Sequence, residues 1–283
     1  FKRNAIQNAI QIVVQKVREC EKRNIFNKFK EIENSIVSAN VRKTDEKGNL
    51  YVDINGLEAI VPAKELSPVD IFRQGDRIKI YIGAVEESTK FTKTFVSRKS
   101  EELLRGLLEL EVPEIYEEII EIRNIAREAG SRSKVAVYSN DENLDVKGAC
   151  IGRNGMRIQN IIDELCGEKI DIVLWNEDIT EFVKNALNPA EVLSVEIIEE
   201  GEENMKVARV LVAENQLSLA IGKKGQNSRL AARLCGVKID IHTEPAEIDE
   251  FEEYEEDTAF NDSFEDEVEE SAFAGLHEED WNL

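Results

Sequence analysis

The sequence predicts an α+β chain of several domains, and three observations predict it. The hydrophobic period switches from helical to alternating near Ser35, two closely similar segments recur about 70 residues apart, and the last stretch is acidic without a Lys or Arg. In order, the expected parts are a helical segment (1–33), a small β-barrel (34–99), two copies of one α/β unit (100–176 and 177–245) and a disordered acidic tail (246–283).

The formal charge of −22 would ordinarily argue against a polyanionic partner, because phosphate binding relies on Lys and Arg that displace counterions. The average misleads. Residues Glu244 to Leu283 hold 18 acidic side chains and no Lys or Arg, so the rest of the chain carries 40 acidic residues against 36 Lys and Arg, a net of −4. Cys20, Cys150, Cys166 and Cys235 show no C-x-x-C spacing, and His242 and His277 are the only histidines, so no disulfide framework, metal site or cofactor is expected. No apolar run reaches the roughly 18 residues of a membrane helix and no signal peptide opens the chain, which points to a reduced, cytoplasmic compartment without a membrane partner. The first residue is Phe rather than Met, so the numbering is expected to start inside a longer protein.

Ile6, Ala9, Ile10, Val13, Val14 and Val17 lie at helical spacing opposite Lys16, Arg18 and Glu19, an amphipathic helix that needs a partner surface, either an upstream domain or the barrel that follows, or else a separate binding partner. Residues 21–33 could extend it or form a second short helix. The period then becomes two in IVSANV, LYVDI and LEAIVP, with Asn55-Gly56 as a hairpin turn between the last two. Gly75-Asp76 introduces the long strand RIKIYIGAVEE, and FTKTFVS adds a fifth after Ser88-Thr89-Lys90. Five such strands fit an OB-type barrel, whose closure removes exposed edges. A helix starts at Ser100 and runs through Leu110 before Pro113 breaks it.

The internal repeat is the most specific signal. Residues 151–155 read IGRNG and 221–225 read IGKKG; LCGEKIDI (165–172) is echoed by LCGVKIDI (234–241). Each copy has an upstream strand (SKVAVYS at 133–139, MKVARVLVA at 205–213), a short helix, the glycine loop, a longer helix and a closing strand. Asp178 to Glu181 resembles a capping box opening the second copy, Val195 to Ile198 gives that copy's first strand, and IIEIRNIA (119–126) occupies the equivalent place in the first. The order is therefore α-β-β-α-α-β, twice.

Gly-x-x-Gly between two helices lets main chain lie against a sugar-phosphate strand, and the next helix offers its N-terminal N–H groups to phosphate. Gly152, Arg153, Asn154 and Gly155, followed by Arg157, form the first such site; Gly222, Lys223, Lys224 and Gly225 form the second. A KH-type loop clamps about four nucleotides of single-stranded RNA in this way over an apolar groove, here Ile151, Ile158, Ile161 and Ile162, or Ile221, Leu230 and Ala231. One copy alone would equally suit a tight helix–helix turn around core residues. Two copies with cationic x positions favour the anion site. The G-x-x-x-x-G-K-[ST] spacing of a triphosphate loop is missing. The 131–134 turn adds Arg132 and Lys134. In the barrel, where aromatics can stack bases over a cationic groove, Tyr51, Phe72, Phe91 and Phe95 are the candidates, and Tyr51 with Arg98 is the chosen pair.

VPEI (112–115), AREAGSRSKVAVYS (126–139), GACIGRNGMRI (148–158) and ELCGEKIDIV (164–173) resemble the NusA family of bacterial transcription elongation factors, over about residues 1–245. The resemblance implies a partial N-terminal helical, polymerase-binding domain, an S1-type OB β-barrel, two tandem type II KH domains and an acidic end. It also implies a monomeric cytoplasmic factor that binds RNA polymerase, nascent RNA and further Nus-type factors, and acts in pausing, termination and antitermination. In that family the S1 and KH domains form one continuous RNA-binding face, and the GRNG and GKKG loops match its backbone-contacting loops. Ala129, Val146 and Ala39 depart from the family's usual Pro, Pro and Gly.

The tail mixes Phe251, Tyr254, Phe260, Phe264, Phe273 and Trp281 with carboxylates. It reads either as a solubilising disordered segment or as one that docks on a basic surface, of polymerase or of the KH units. Two further functions compete with the RNA-binding reading. A nuclease would need clustered carboxylates for metal, whereas the acidic residues here are dispersed or confined to the tail, so no enzyme is expected. A scaffold would use the KH folds to bind protein only.

Overall fold

A computed structural model describes residues 3–87, 92–200 and 205–243. The first helix, α1 (Arg3–Glu31), runs without a break, so residues 21–31 extend it rather than start a second helix. Its last turns pack on the β-sheet that follows, with Phe29 buried and Phe26 half-buried against that core. Its apolar stripe is not covered: Ile6, Ile10, Val13, Val14 and Val17 are all exposed.

Five antiparallel strands follow: β1 (Ser35–Thr44), β2 (Leu50–Ile54), β3 (Leu57–Val61), β4 (Arg77–Glu87) and β5 (Thr92–Ser97), in the order β3-β2-β1-β4-β5. Asn55 (φ 50°) and Gly56 (φ 88°) both take the positive φ that a two-residue hairpin needs to match strand twist. Alternation sends Val52, Val61, Ile80 and Ile82 inward to complete burial. The expected closure is incomplete. Among the described residues β3 and β5 are not hydrogen-bonded to each other, because Pro62, which has no N–H, ends β3 and a 3-10 turn (Ala63–Glu65) carries the chain away. The Arg98 amide meets the Glu65 carbonyl at 2.9 Å instead. The result is a half-barrel. Ser88, Thr89, Lys90 and Phe91 lie outside the described residues, as does the whole tail.

The two α/β units have the expected order. The first comprises α2 (Glu101–Glu111), a short α3 (Pro113–Tyr116), β6 (Glu121–Glu128), β7 (Arg132–Tyr138), α4 (Val146–Ile151), α5 (Met156–Glu164) and β8 (Lys169–Leu174). The second comprises α6 (Ile179–Leu187), β9 (Val192–Glu200), β10 (Met205–Val212), α7 (Glu214–Ile221), α8 (Gln226–Cys235) and β11 (Lys238–Thr243). In each, the middle strand pairs antiparallel with the first and parallel with the last. Pro113 ends α2 and, at its own first position, starts α3. The capping box at α6 is only half formed. Asp178 caps the Thr180 amide at 2.9 Å, but its own amide goes to Asn176 Oδ1 and Glu181 pairs with Lys184.

The first unit's sheet is buried on both faces, which explains why β7 reads as an almost unbroken apolar run. Val135 and Val137 face their own helices among Leu104, Leu108 and Ile161. Ala126 and Ala136 face the other way, into the core of the second unit with Phe182, Leu187, Leu230 and Leu234. Small side chains on that face let α6 and α8 approach closely.

Arg98, expected to face RNA, is instead 1% exposed at the joint between half-barrel and first unit. Its Nε donates to Asp70 at 3.1 Å, Nη1 to the Lys79 carbonyl at 2.6 Å and Nη2 to the Glu164 carbonyl at 2.8 Å, with the Glu164 carboxylate 3.3 Å from Nη1. The Phe72 ring lies 4.8 Å away. Glu164 returns the contact by accepting the Lys79 amide at 2.7 Å. Arg98→Ala would leave Asp70 buried without its counter-charge and should cost about 3–5 kcal/mol in chemical denaturation, the range for breaking one side of a buried pair.

Candidate nucleic-acid interface

Both glycine loops fold to the same backbone. The first glycines, Gly152 (φ 77°, ψ 171°) and Gly222 (φ 74°, ψ 174°), lie in a region that residues with a Cβ essentially do not enter. Asn154 (φ 55°, ψ 24°) and Lys224 (φ 53°, ψ 31°) turn left-handed, as do Gly155 (φ 74°, ψ 11°) and Gly225 (φ 71°, ψ 20°). Short Asx-type or flexible side chains tolerate that conformation best, and glycine pays nothing sterically for it. Each loop delivers the chain into a helix N-terminus, α5 or α8.

The two glycines of each loop serve different needs, which the pattern alone did not separate. A Cβ on Gly152 would come within 2.6 Å of Arg157, and one on Gly222 within 2.8 Å of Asn227, so these glycines are required by packing inside the protein. A Cβ on Gly155 would meet nothing within 4 Å, and one on Gly225 only side-chain atoms at 3.9 Å. The second glycines therefore face open space, where a strand's backbone can approach. Arg157 and Asn227 occupy equivalent positions and do the same work with different chemistry. Arg157 Nη1 donates to the Ala149 carbonyl at 2.7 Å and Glu114 at 2.9 Å, while Asn227 Nδ2 donates to the carbonyls of Ala220 at 3.1 Å and Leu187 at 2.9 Å. Arg157, expected as an RNA contact, is thus occupied in bracing its loop.

Charge at the loops is uncompensated. Arg153, Lys223 and Lys224 are exposed, and among the described residues none of their side chains is ion-paired. The other chosen cations are engaged. Lys134 is completely buried, donating to the Asn188 carbonyl at 3.0 Å and sitting 3.2 Å from Asp171; burial pushes its pKa down despite that carboxylate. It joins the two units and is out of reach of RNA. Arg132 makes a two-pronged pair with Asp171 at 2.7 and 2.9 Å, which raises its own pKa. Burial pushes the Asp171 carboxyl up, but Arg132 and Lys134 together outweigh it and hold it below its usual value. Of the 131–134 turn, Ser131 reaches the second loop, through Gln226 at 2.7 Å.

Tyr51 is half-buried on the outer side of β2 with Lys43 Nζ 4.7 Å above its ring, a usable stacking platform. Phe72 is covered by Arg98, and Phe95 is exposed beside the gap between β3 and β5. Among the proposed groove residues, Ile161, Leu230 and Ala231 are core, whereas Ile151, Ile158 and Ile162 are half-buried and Ile221 is 38% exposed. No cluster of His, Cys, Asp or Glu suited to a metal occurs among the described residues, and no described helix is long and apolar enough to cross a membrane. Sequence reasoning missed Glu128, Gln226, Asn227 and Arg229. Asn227 could have been found by laying the copies over each other; the partners of Glu128 lie about a hundred residues away and leave no local trace.

A half-barrel followed by two KH folds with matching loops defines the class: an array of S1 and KH modules. Residues 30–91 match the S1 RNA binding domain, 98–175 the NusA-like first KH domain and 179–249 the NusA-like second KH domain. Over these residues the chain is built from an S1 module and two NusA-like KH modules. It is 48% identical over 244 residues to the transcription termination/antitermination protein NusA of Halalkalibacterium halodurans, covering 86% of this chain and 63% of that one. The Bacillus subtilis protein of that name is 48% identical over 244 residues (86% and 64%), and that of Thermus thermophilus 47% over 251 (89% and 63%). The chain thus spans a little under two thirds of the length of these curated relatives.

The division of labour between glycines is testable by substitution. Gly152→Ala and Gly222→Ala should each cost about 2–3 kcal/mol in thermal or denaturant unfolding, from strain plus a clash with the following helix. Gly155→Ala and Gly225→Ala, strained but unobstructed, should cost about 1 kcal/mol.

Proposed function

We propose that this chain is a non-enzymatic, cytoplasmic, monomeric RNA-binding transcription factor. It holds nascent single-stranded RNA along its S1 and KH modules, associates with RNA polymerase and other Nus-type factors, and modulates pausing, termination and antitermination. The observation that carries the reading is the pair of loops. Each puts an open glycine, at least one unpaired cation and a helix N-terminus in one place, the combination that attracts a phosphate strand and admits its backbone. The names of the relatives, transcription termination/antitermination proteins, support the cellular setting. The contact residues are Arg153, Asn154, Gly155, Lys223, Lys224 and Gly225, with Tyr51 as a stacking surface on the half-barrel. Arg98, Lys134 and Arg157 are left to structural work.

Replacing Arg153, Asn154, Lys223 and Lys224 together by Asp should abolish binding of single-stranded RNA while leaving the circular dichroism spectrum unchanged, since all four side chains are exposed. Replacing the three cations by Ala should reduce the slope of log K against log salt by roughly 2, at about 0.7 per phosphate contact on a single strand. Retained RNA affinity in the Asp variant would favour the scaffold that binds protein only.

A further inference from the structure

The two loops are braced differently. The first is held from within its own unit, by Arg157 on Glu114 and the Ala149 carbonyl. The second has the same inner brace in Asn227 and is held in addition from across the domain boundary. Glu128, the last residue of β6 in the first unit, accepts Arg229 Nε on Oε1 at 2.7 Å and Gln226 Nε2 on Oε2 at 2.8 Å. Gln226 is the residue immediately after Gly225, and it also donates to Ser131 Oγ at 2.7 Å on the same hairpin. Arg229 in turn donates Nη1 to the carbonyl of Lys224, inside the loop, at 3.2 Å, and Arg233 lies 3.7 Å from the same carboxylate. One carboxylate of the first unit thereby fixes the first turn of α8 and, through Arg229, the main chain of the second loop. Arg229 beside it holds the Glu128 carboxyl below its usual value.

From this geometry we infer that Glu128 is a positioning residue for RNA: it sets the register between the two loops so that one continuous strand engages both. The inference rests on the RNA-binding reading above and adds to it a residue that touches no nucleotide. Its energetic logic is that of linked sites. When two loops are held in register, the second contact on one strand becomes intramolecular and the combined affinity exceeds either alone; when the register is lost, that gain falls while each loop keeps its own grip. Glu128 also neutralises Arg229, so its removal frees a cation beside the second loop. A merely structural role would lower all binding together. A positioning role predicts opposite responses to long and short RNA.

The test compares Glu128→Gln with the parent chain on an RNA of about four nucleotides, the span of one loop, and on one of about twelve. The long RNA should lose about tenfold in affinity, a part of the 10²–10⁴ that linkage can supply, and the short RNA should bind unchanged or more tightly. Gln226→Ala, which keeps the ion pair but removes the second tether, should show a smaller loss confined to the long RNA. Equal losses on both lengths, or an undiminished long-RNA affinity in Glu128→Gln, would each overturn the positioning role. Failure of the RNA reading itself has a separate signature, parent-level binding after charge reversal at Arg153, Lys223 and Lys224.

Discussion

The buried guanidinium of Arg98 is the contact on which the arrangement of modules depends. It gathers a loop carboxylate, a strand carbonyl of the half-barrel and the C-terminal residue of α5 around one planar cation. A positive charge at a helix C-terminus complements the helix dipole, and five N–H groups in a fixed fork orient their acceptors as well as bind them. Because α5 begins at the first glycine loop, fixing its far end on the half-barrel fixes the loop's direction relative to Tyr51. A lysine, with one compact cationic head, could not meet so many acceptors at once.

A second buried centre continues the same logic into the first KH unit. Glu168, fully buried, accepts both prongs of Arg127 at 2.9 Å, the Gly130 amide at 2.8 Å and the Ser133 hydroxyl at 2.6 Å. Four donors on one carboxylate offset much of the cost of taking its charge out of water. Arg127 also reaches the Ser100 carbonyl where α2 starts, so the hairpin, the helix and β8 are held together. The hairpin so anchored is the one that carries Glu128 and Ser131 to the second loop. Rigid positioning of both loops thus descends from buried polar chemistry, while Ala126 and Ala136 supply the close apolar fit that brings the units together.

This division explains the distribution of charge. Arg98 and Lys134, which hold modules together, are buried and paired, and the loop cations Arg153, Lys223 and Lys224 project without a partner among the described residues. An acidic chain can present a polyanion site under these conditions, since the field that a strand meets at close range is set by the nearest uncompensated charges rather than by the total, which salt screens beyond about 8–10 Å.

The sequence by itself determined the element order, the hairpin at Asn55-Gly56, the duplication and the two loops, because these follow from local periods and from glycines whose backbone angles other residues cannot adopt. It could not tell which basic residues stay free. Arg98, Lys134 and Arg153 look alike in composition, yet the first two are buried by partners that fold next to them from 19 to 66 residues away, and only the third reaches solvent. It also could not show that the barrel's seam stays open, that Gly152 and Gly222 serve packing while Gly155 and Gly225 face outward, or that Asn227 does the work of Arg157. Those outcomes depend on which distant surfaces meet. Local sequence fixes backbone propensity, whereas burial, charge pairing and free space are properties of the assembled contacts.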